Sequence, residues 1–154
     1  MRNFFGIFFS RYILSAIVAW AVAQAIKVVL TLAMTKKFDK SRVLGSGGMP
    51  SSHSSMSVAL LTTIGFRVGF DSAVFAIAFC FACVVMYDAA GVRRSTGKNA
   101  QTLNLLLDVL NGEGMISDEE RLKELVGHTP LQVAAGAILG IFIGFLFGTV
   151  NVPA

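Results

Sequence analysis

Two long stretches of this chain carry no charged side chain: Ser72 to Tyr87 and Thr129 to Ala154. A third, Tyr12 to Met34, has only Gln24 and Lys27 as strongly polar interruptions. A helix that crosses a bilayer needs roughly 20 mostly apolar residues, because lipid offers no partner for an unpaired backbone N–H or C=O. Apolar residues gathered into blocks of this length predict an integral membrane protein. Composition agrees: of 154 residues 55% are hydrophobic and 14% charged, where a soluble domain carries about 25% charged residues. The expected fold class is all-α, a polytopic membrane helix bundle of about four spanning helices plus short interfacial helices. Residues 1–154 are expected to form a single membrane domain.

Span one is expected from about Arg11 to Thr35. The basic, glycine-rich loop KKFDKSRVLGSGG follows it. Pro50 or the serines after it should open a second helix, since serine satisfies orphan N–H groups at a helix start and proline suits the first turn. This helix, to about Arg67, is short and carries Ser and Thr, so other helices should cover it. A turn at GFDS leads to the third span, about Ser72 to Gly91. GVRRSTGKN follows, and NAQTLNLLLDVLN, with Leu and Val at helical spacing, reads as a short amphipathic helix. The acidic NGEGMISDEE reads as a loop, and the last span runs from near Thr129 to near Val150. Met1 to Ser10, with its phenylalanines and Arg2, reads as an interfacial segment, with no clear small-residue cleavage site after its apolar run.

The net charge of +4 does not point to nucleic acid: the basic residues flank hydrophobic spans, and no reading motif accompanies them. Cys80 and Cys83 lie three apart on one helix face, without further Cys or His to complete a tetrahedral metal site, and read as small packing residues. There is no carboxylate cluster of the kind Mg²⁺ needs. Neither a metal nor another cofactor is expected. Gly136, Gly140, Gly144 and Gly148 form a strip at spacing four that lets another helix approach closely. That neighbour belongs either to the same chain or to a second copy, and with only four spans a homodimer through the strip is one expectation.

Counting crossings brings separated motifs together. The loop before His53 ends span one, the second helix leaves that face, and the third span returns to it. Asp88, Arg93, Arg94 and Lys98 then arrive where His53 sits, and the last span begins there with His128. Two histidines among fixed cations suit an anionic phosphorus centre. Arg and Lys neutralise phosphate oxygens, a helix N-terminus adds free N–H groups, and Ser51 and Ser52 add hydroxyls. One imidazole can attack phosphorus while the other protonates the leaving oxygen. Lys27 sits about eight residues inside its span, roughly 12 Å at 1.5 Å per residue, a depth at which an ionisable side chain is a functional candidate.

The segments GGMPSSHSS, MYDAAGVRRSTGKNAQTLN and GHTPLQVAAGAILG, in this order, resemble the divergent branch of the type-2 phosphatidic acid phosphatase superfamily, which also includes vanadium haloperoxidases. The resemblance covers about Trp20 to Gly144. It implies a helical membrane fold, a phosphohistidine intermediate and lipid phosphate substrates. It gives His53 the role of protonating the leaving group, Ser51 and the backbone near Ser52 that of binding phosphate, and His128 that of nucleophile.

The chain departs from the wider pattern at three places. The Lys, six residues, Arg-Pro motif is not intact, since Met34 lies seven residues after Lys27. The Arg six residues before the nucleophile is replaced by Leu122, with Arg121 and Lys123 beside it. The Asp four residues after it is replaced by Gln132, and an amide can orient a ring but gives it no charge. Asp88 is the expected substitute for that charge, with Glu124 a second candidate. The competing reading of Asp88 is an ion pair with Arg93, Arg94 or Lys27.

These readings converge on a membrane phosphatase acting on a lipid-linked phosphate or pyrophosphate. His128, His53 and Asp88 would be catalytic, and Lys27, Ser51, Ser52, Arg93, Arg94 and Lys98 would bind substrate among membrane lipids. The rival is a non-catalytic membrane protein that binds or moves a phosphorylated lipid, favoured by Gln132. A third reading is a purely structural bundle. Lys36, Lys37, Lys40, Arg42, Arg93, Arg94, Lys98, Arg121 and Lys123 flank the motif side, against Arg2, Arg11 and Arg67 on the other. The positive-inside rule then puts the site on the cytoplasmic face, and a bacterial inner membrane is the expected location.

Overall fold

A computed structural model describes residues 10–36, 48–111, 122 and 127–150. These residues form five helices: α1 (Arg11–Thr35), α2 (Ser52–Val68), α3 (Ala73–Ala90), α4 (Val92–Asn111) and α5 (Pro130–Thr149). Among the described residues, three stretches are long and apolar enough to cross a membrane: α1, the run Ala73–Val109, and α5. The chain is a membrane helix bundle. Met1 to Phe9, Lys37, Lys40, Arg42, Arg121, Lys123 and Glu124 lie outside the described residues.

The bundle is organised around α2. At 17 residues it is about 26 Å long, the shortest of the five, and it packs against α1, α3 and α5. Its buried side chains are mostly small: Ser54, Ser55, Ser57, Ala59, Thr62, Thr63 and Gly65 among them. Lipid tails are as apolar as leucine, so helices in a bilayer gain little from hiding large apolar groups and more from close approach. The large side chains accordingly turn outward. Ile77 is 70% exposed, Ile138 68% and Phe142 60%, as expected for a lipid-facing surface. Ala19, Ala59 and Ile143 meet at the centre, where α1, α2 and α5 come together.

Polar side chains on α2 bond to backbone, which satisfies them without water. The Ser55 hydroxyl donates to the Ala19 carbonyl of α1 at 3.2 Å, and the Thr62 hydroxyl to the Val58 carbonyl at 2.8 Å. At the far end, Arg67 donates to the Val150 carbonyl at 2.7 Å, and Arg11 reaches the same oxygen at 3.4 Å. Cations at the end of α5 suit the partial negative charge of its last carbonyls.

The glycine strip of α5 has its neighbour within the chain. A Cβ at Gly136 would collide with the Ser51 carbonyl oxygen, and one at Gly140 would lie 2.6 Å from the Ser55 carbonyl oxygen. One at Gly144 would lie 2.6 Å from the Ala59 carbonyl oxygen, and one at Gly148 would lie 2.7 Å from Phe66 Cβ. The neighbour of the strip is thus α2 of the same chain.

GVRRSTGKN is helical from its second residue, because α4 starts at Val92, directly after Gly91. Arginine and lysine are good helix formers, and Gly97 is enclosed within α4, whose neighbour Ala100 is also buried. The amphipathic helix expected over 99–111 is therefore the second half of a longer one.

Candidate functional site

One end of the bundle gathers the start of α2, the end of α3 and the start of α5. Ser51 caps α2, its side chain accepting from Ser54 N. The Ser51 N–H donates to the Gln132 carbonyl at 2.9 Å, tying α2 to α5. The His128 N–H donates to the Ala89 carbonyl at 3.0 Å, tying the approach to α5 to the last turn of α3. These bonds fix two histidines that are far apart in sequence. The rings of His53 and His128 lie 6.4 Å apart between centroids, at 59° to one another.

The two rings differ in environment. His53 is solvent-exposed on the first turn of α2, whereas His128 is only 2% exposed. His128 Nδ1 lies 3.2 Å from Gln132 Oε1, and the same oxygen accepts the Thr129 N–H at 3.1 Å. His128 Nε2 is buried and has no hydrogen-bond partner among the described residues. A native structure seldom leaves a buried polar atom unpaired. An imidazole lone pair held at a reactive position is one of the circumstances in which it does.

Lys27 is 1% exposed, and its Nζ donates to Gln24 Oε1 at 2.7 Å. Gly48 closes over its stem. It has φ +85°, and a Cβ there would lie 3.2 Å from Lys27 Cγ, so glycine serves both the backbone and the contact.

The pKa of His128 is lowered from the ordinary 6.5, first by burial and also by the positive charge of Lys27 and by His53. The Gln132 side chain and the Gly48 backbone pull the other way, although Gly48 supplies no bond to Nε2. The ring is therefore neutral at pH 7. Neutral His128 stabilises the fold above pH 6.5, and that contribution is lost as pH falls through the lowered pKa. Replacing Lys27 by Met removes a repelling cation, so the His128 pKa should rise; an NMR titration of the ring checks this.

The other predicted residues divide. Asp88 is half-buried on the last turn of α3, one residue before the Ala89 carbonyl that holds His128. It is not among the groups that set the proton affinity of the ring. Ser51 is fully buried and Ser52 nearly so. The Ser51 hydroxyl is committed to the helix cap and accepts from Ser54 Oγ at 3.0 Å. Arg94 and Lys98 are exposed on successive turns of α4, and Arg93 shares that helix. No hydrogen bond or ion pair among the described residues ties Arg94 or Lys98 to the histidines. The structure thus brings together His53, His128, Lys27 and the start of α2.

Sequence reasoning missed two contributors. Gln24 holds Lys27, and its signal was its place three residues before that lysine, on the same helix face. Thr129 forms a capping box with Gln132, and its signal was the spacing T-P-L-Q just before an apolar run.

A family model described as the Divergent PAP2 family matches residues 8–143, a span that includes both histidines, Lys27 and Gln132. The chain belongs to the divergent PAP2 family. It is also 38% identical over 141 residues to the uncharacterized membrane protein YuiD of Bacillus subtilis (strain 168), covering 85% of this chain and 89% of that protein. No solved structure matches. Membership agrees with the resemblance carried by the three motifs, and the matched region contains the complete histidine-bearing end of the bundle.

Proposed function

We propose that the chain is a membrane phosphatase acting on a lipid-linked phosphate or pyrophosphate. The observation that carries this reading is His128 Nε2, buried and without a hydrogen-bond partner among the described residues, within one phosphoryl group's reach of exposed His53. His128 Nε2 attacks phosphorus, and the bond from phosphorus to the leaving oxygen breaks. That oxygen keeps the electron pair and takes a proton from His53. Water then attacks the phosphohistidine while His53 accepts its proton. The P–N bond breaks, its electrons return to Nε2, and phosphate leaves. Lys27 and the N-terminus of α2 supply positive charge to the phosphoryl oxygens. Arg93, Arg94 and Lys98 on α4 are proposed to hold substrate once it is bound, and Asp88 to offset the charge that develops on His128. The site is proposed to face the cytoplasm of a bacterial inner membrane, and labelling of cysteines introduced at Ser46 and Asn111 reports its side.

Gln132 favours a second reading, a protein that binds or moves a phosphorylated lipid without cleaving it, because an amide gives no charge to the imidazolium. Phosphate release from a panel of lipid phosphates separates the two. The phosphatase reading expects release by the parent that disappears in His53→Ala and His128→Ala. Binding without release by the purified parent would support the carrier instead.

A further inference from the structure

We infer that Gln132 is a positioning residue, held by a helix cap so that it fixes His128 as the Nδ1–H tautomer and leaves the Nε2 lone pair exposed to the site. The Thr129 N–H donates to Gln132 Oε1, and Thr129 Oγ1 accepts the Gln132 N–H at 3.4 Å. Together these contacts form the capping box that starts α5. A backbone N–H can bond only the oxygen end of the amide, so the box decides which way the amide points. That oxygen is also the atom 3.2 Å from His128 Nδ1. A carbonyl oxygen cannot donate, so the shared hydrogen sits on Nδ1.

The other neutral tautomer would set the Nδ1 lone pair against the oxygen lone pairs of Gln132. The box therefore does half of what a carboxylate does at such a position. It sets the proton and the ring orientation, and supplies no charge.

The kinetic part of this inference rests on the phosphatase reading, but the tautomer does not. ¹⁵N spectra of the full-length protein in nanodiscs, labelled at histidine, report the tautomer directly. In the parent at pH 7.5, His128 should show a protonated Nδ1 and an unprotonated Nε2. Gln132→Glu keeps both acceptor contacts, so the tautomer should persist. Gln132→Leu removes the acceptor, and the Nε2–H form should gain population. For the enzyme, Gln132→Leu should then lower kcat by about 10²-fold or more with little change in KM, and Gln132→Glu should keep activity while shifting the acid limb of its pH profile upward.

An Nε2–H tautomer in the parent would overturn the inference, and that measurement needs no variant to fold. So would an unchanged tautomer in a folded Gln132→Leu protein. A parent with the expected tautomer that releases no phosphate from any lipid would sink the phosphatase reading and leave the tautomer lock standing.

Discussion

His128→Ala should release no phosphate above background, a loss of about 10⁵-fold or more on the scale seen when a hydrolase loses its nucleophile. The size of the effect follows from the site. His128 carries a buried nitrogen without a hydrogen-bond partner among the described residues, and its removal takes away the proposed bond to phosphorus. His53→Ala should be milder, about 10²- to 10⁴-fold, the usual range for removing a general acid. That loss should shrink for substrates whose leaving group is already a good one, such as a pyrophosphate, because they need less protonation. Steady-state release of inorganic phosphate, compared between a monophosphate and a pyrophosphate lipid, checks both the order and the substrate dependence.

Gly140→Val and Gly144→Val should be among the most damaging substitutions to the fold, each lowering stability by about 3 kcal/mol or more. A Cβ at Gly140 would lie 2.9 Å from Val58 Cβ as well as against the Ser55 carbonyl oxygen. A Cβ at Gly144 would lie 2.6 Å from both the Ala59 carbonyl oxygen and Thr62 Cβ. Backbone atoms of α2 cannot rotate away, so the two helices must separate. Lipid-facing Ile138→Ala, by contrast, should stay within about 0.5 kcal/mol of the parent. Thermal unfolding in nanodiscs measures this difference. Separation of α2 from α5 would also stretch the Ser51 to Gln132 bond that holds His53 near His128, so activity should fall with stability in the glycine variants and not in Ile138→Ala.

Much of the bundle was legible because membrane spans are written in composition. The charge-free run before Tyr87 and the apolar block after Thr129 became α3 and α5 within one or two residues. The meeting of the histidines was legible for a topological reason: once the crossings are counted, His53 and His128 must share a face. Other features depend on information a single chain does not display. A strip of small residues says that something approaches closely but not what, and only the packed bundle shows that α2 fills it. The start of the amphipathic helix was not legible, because Gly91 and Gly97 interrupt the apolar pattern while α4 runs on from Val92. Gln132 was visible as a missing carboxylate. Its orientation was not, because that comes from the Thr129 N–H, a backbone group with no letter in the sequence.

The central claim is that one phosphoryl group passes through His128 with His53 beside it. The most direct measurement is a single-turnover experiment with a ³²P-labelled lipid phosphate or pyrophosphate, quenched in alkali, where phosphohistidine survives, and mapped by mass spectrometry. The account predicts label on the peptide carrying His128 in the parent and none in His128→Ala. Phosphate release with no labelled peptide, or label carried on His53, would contradict it.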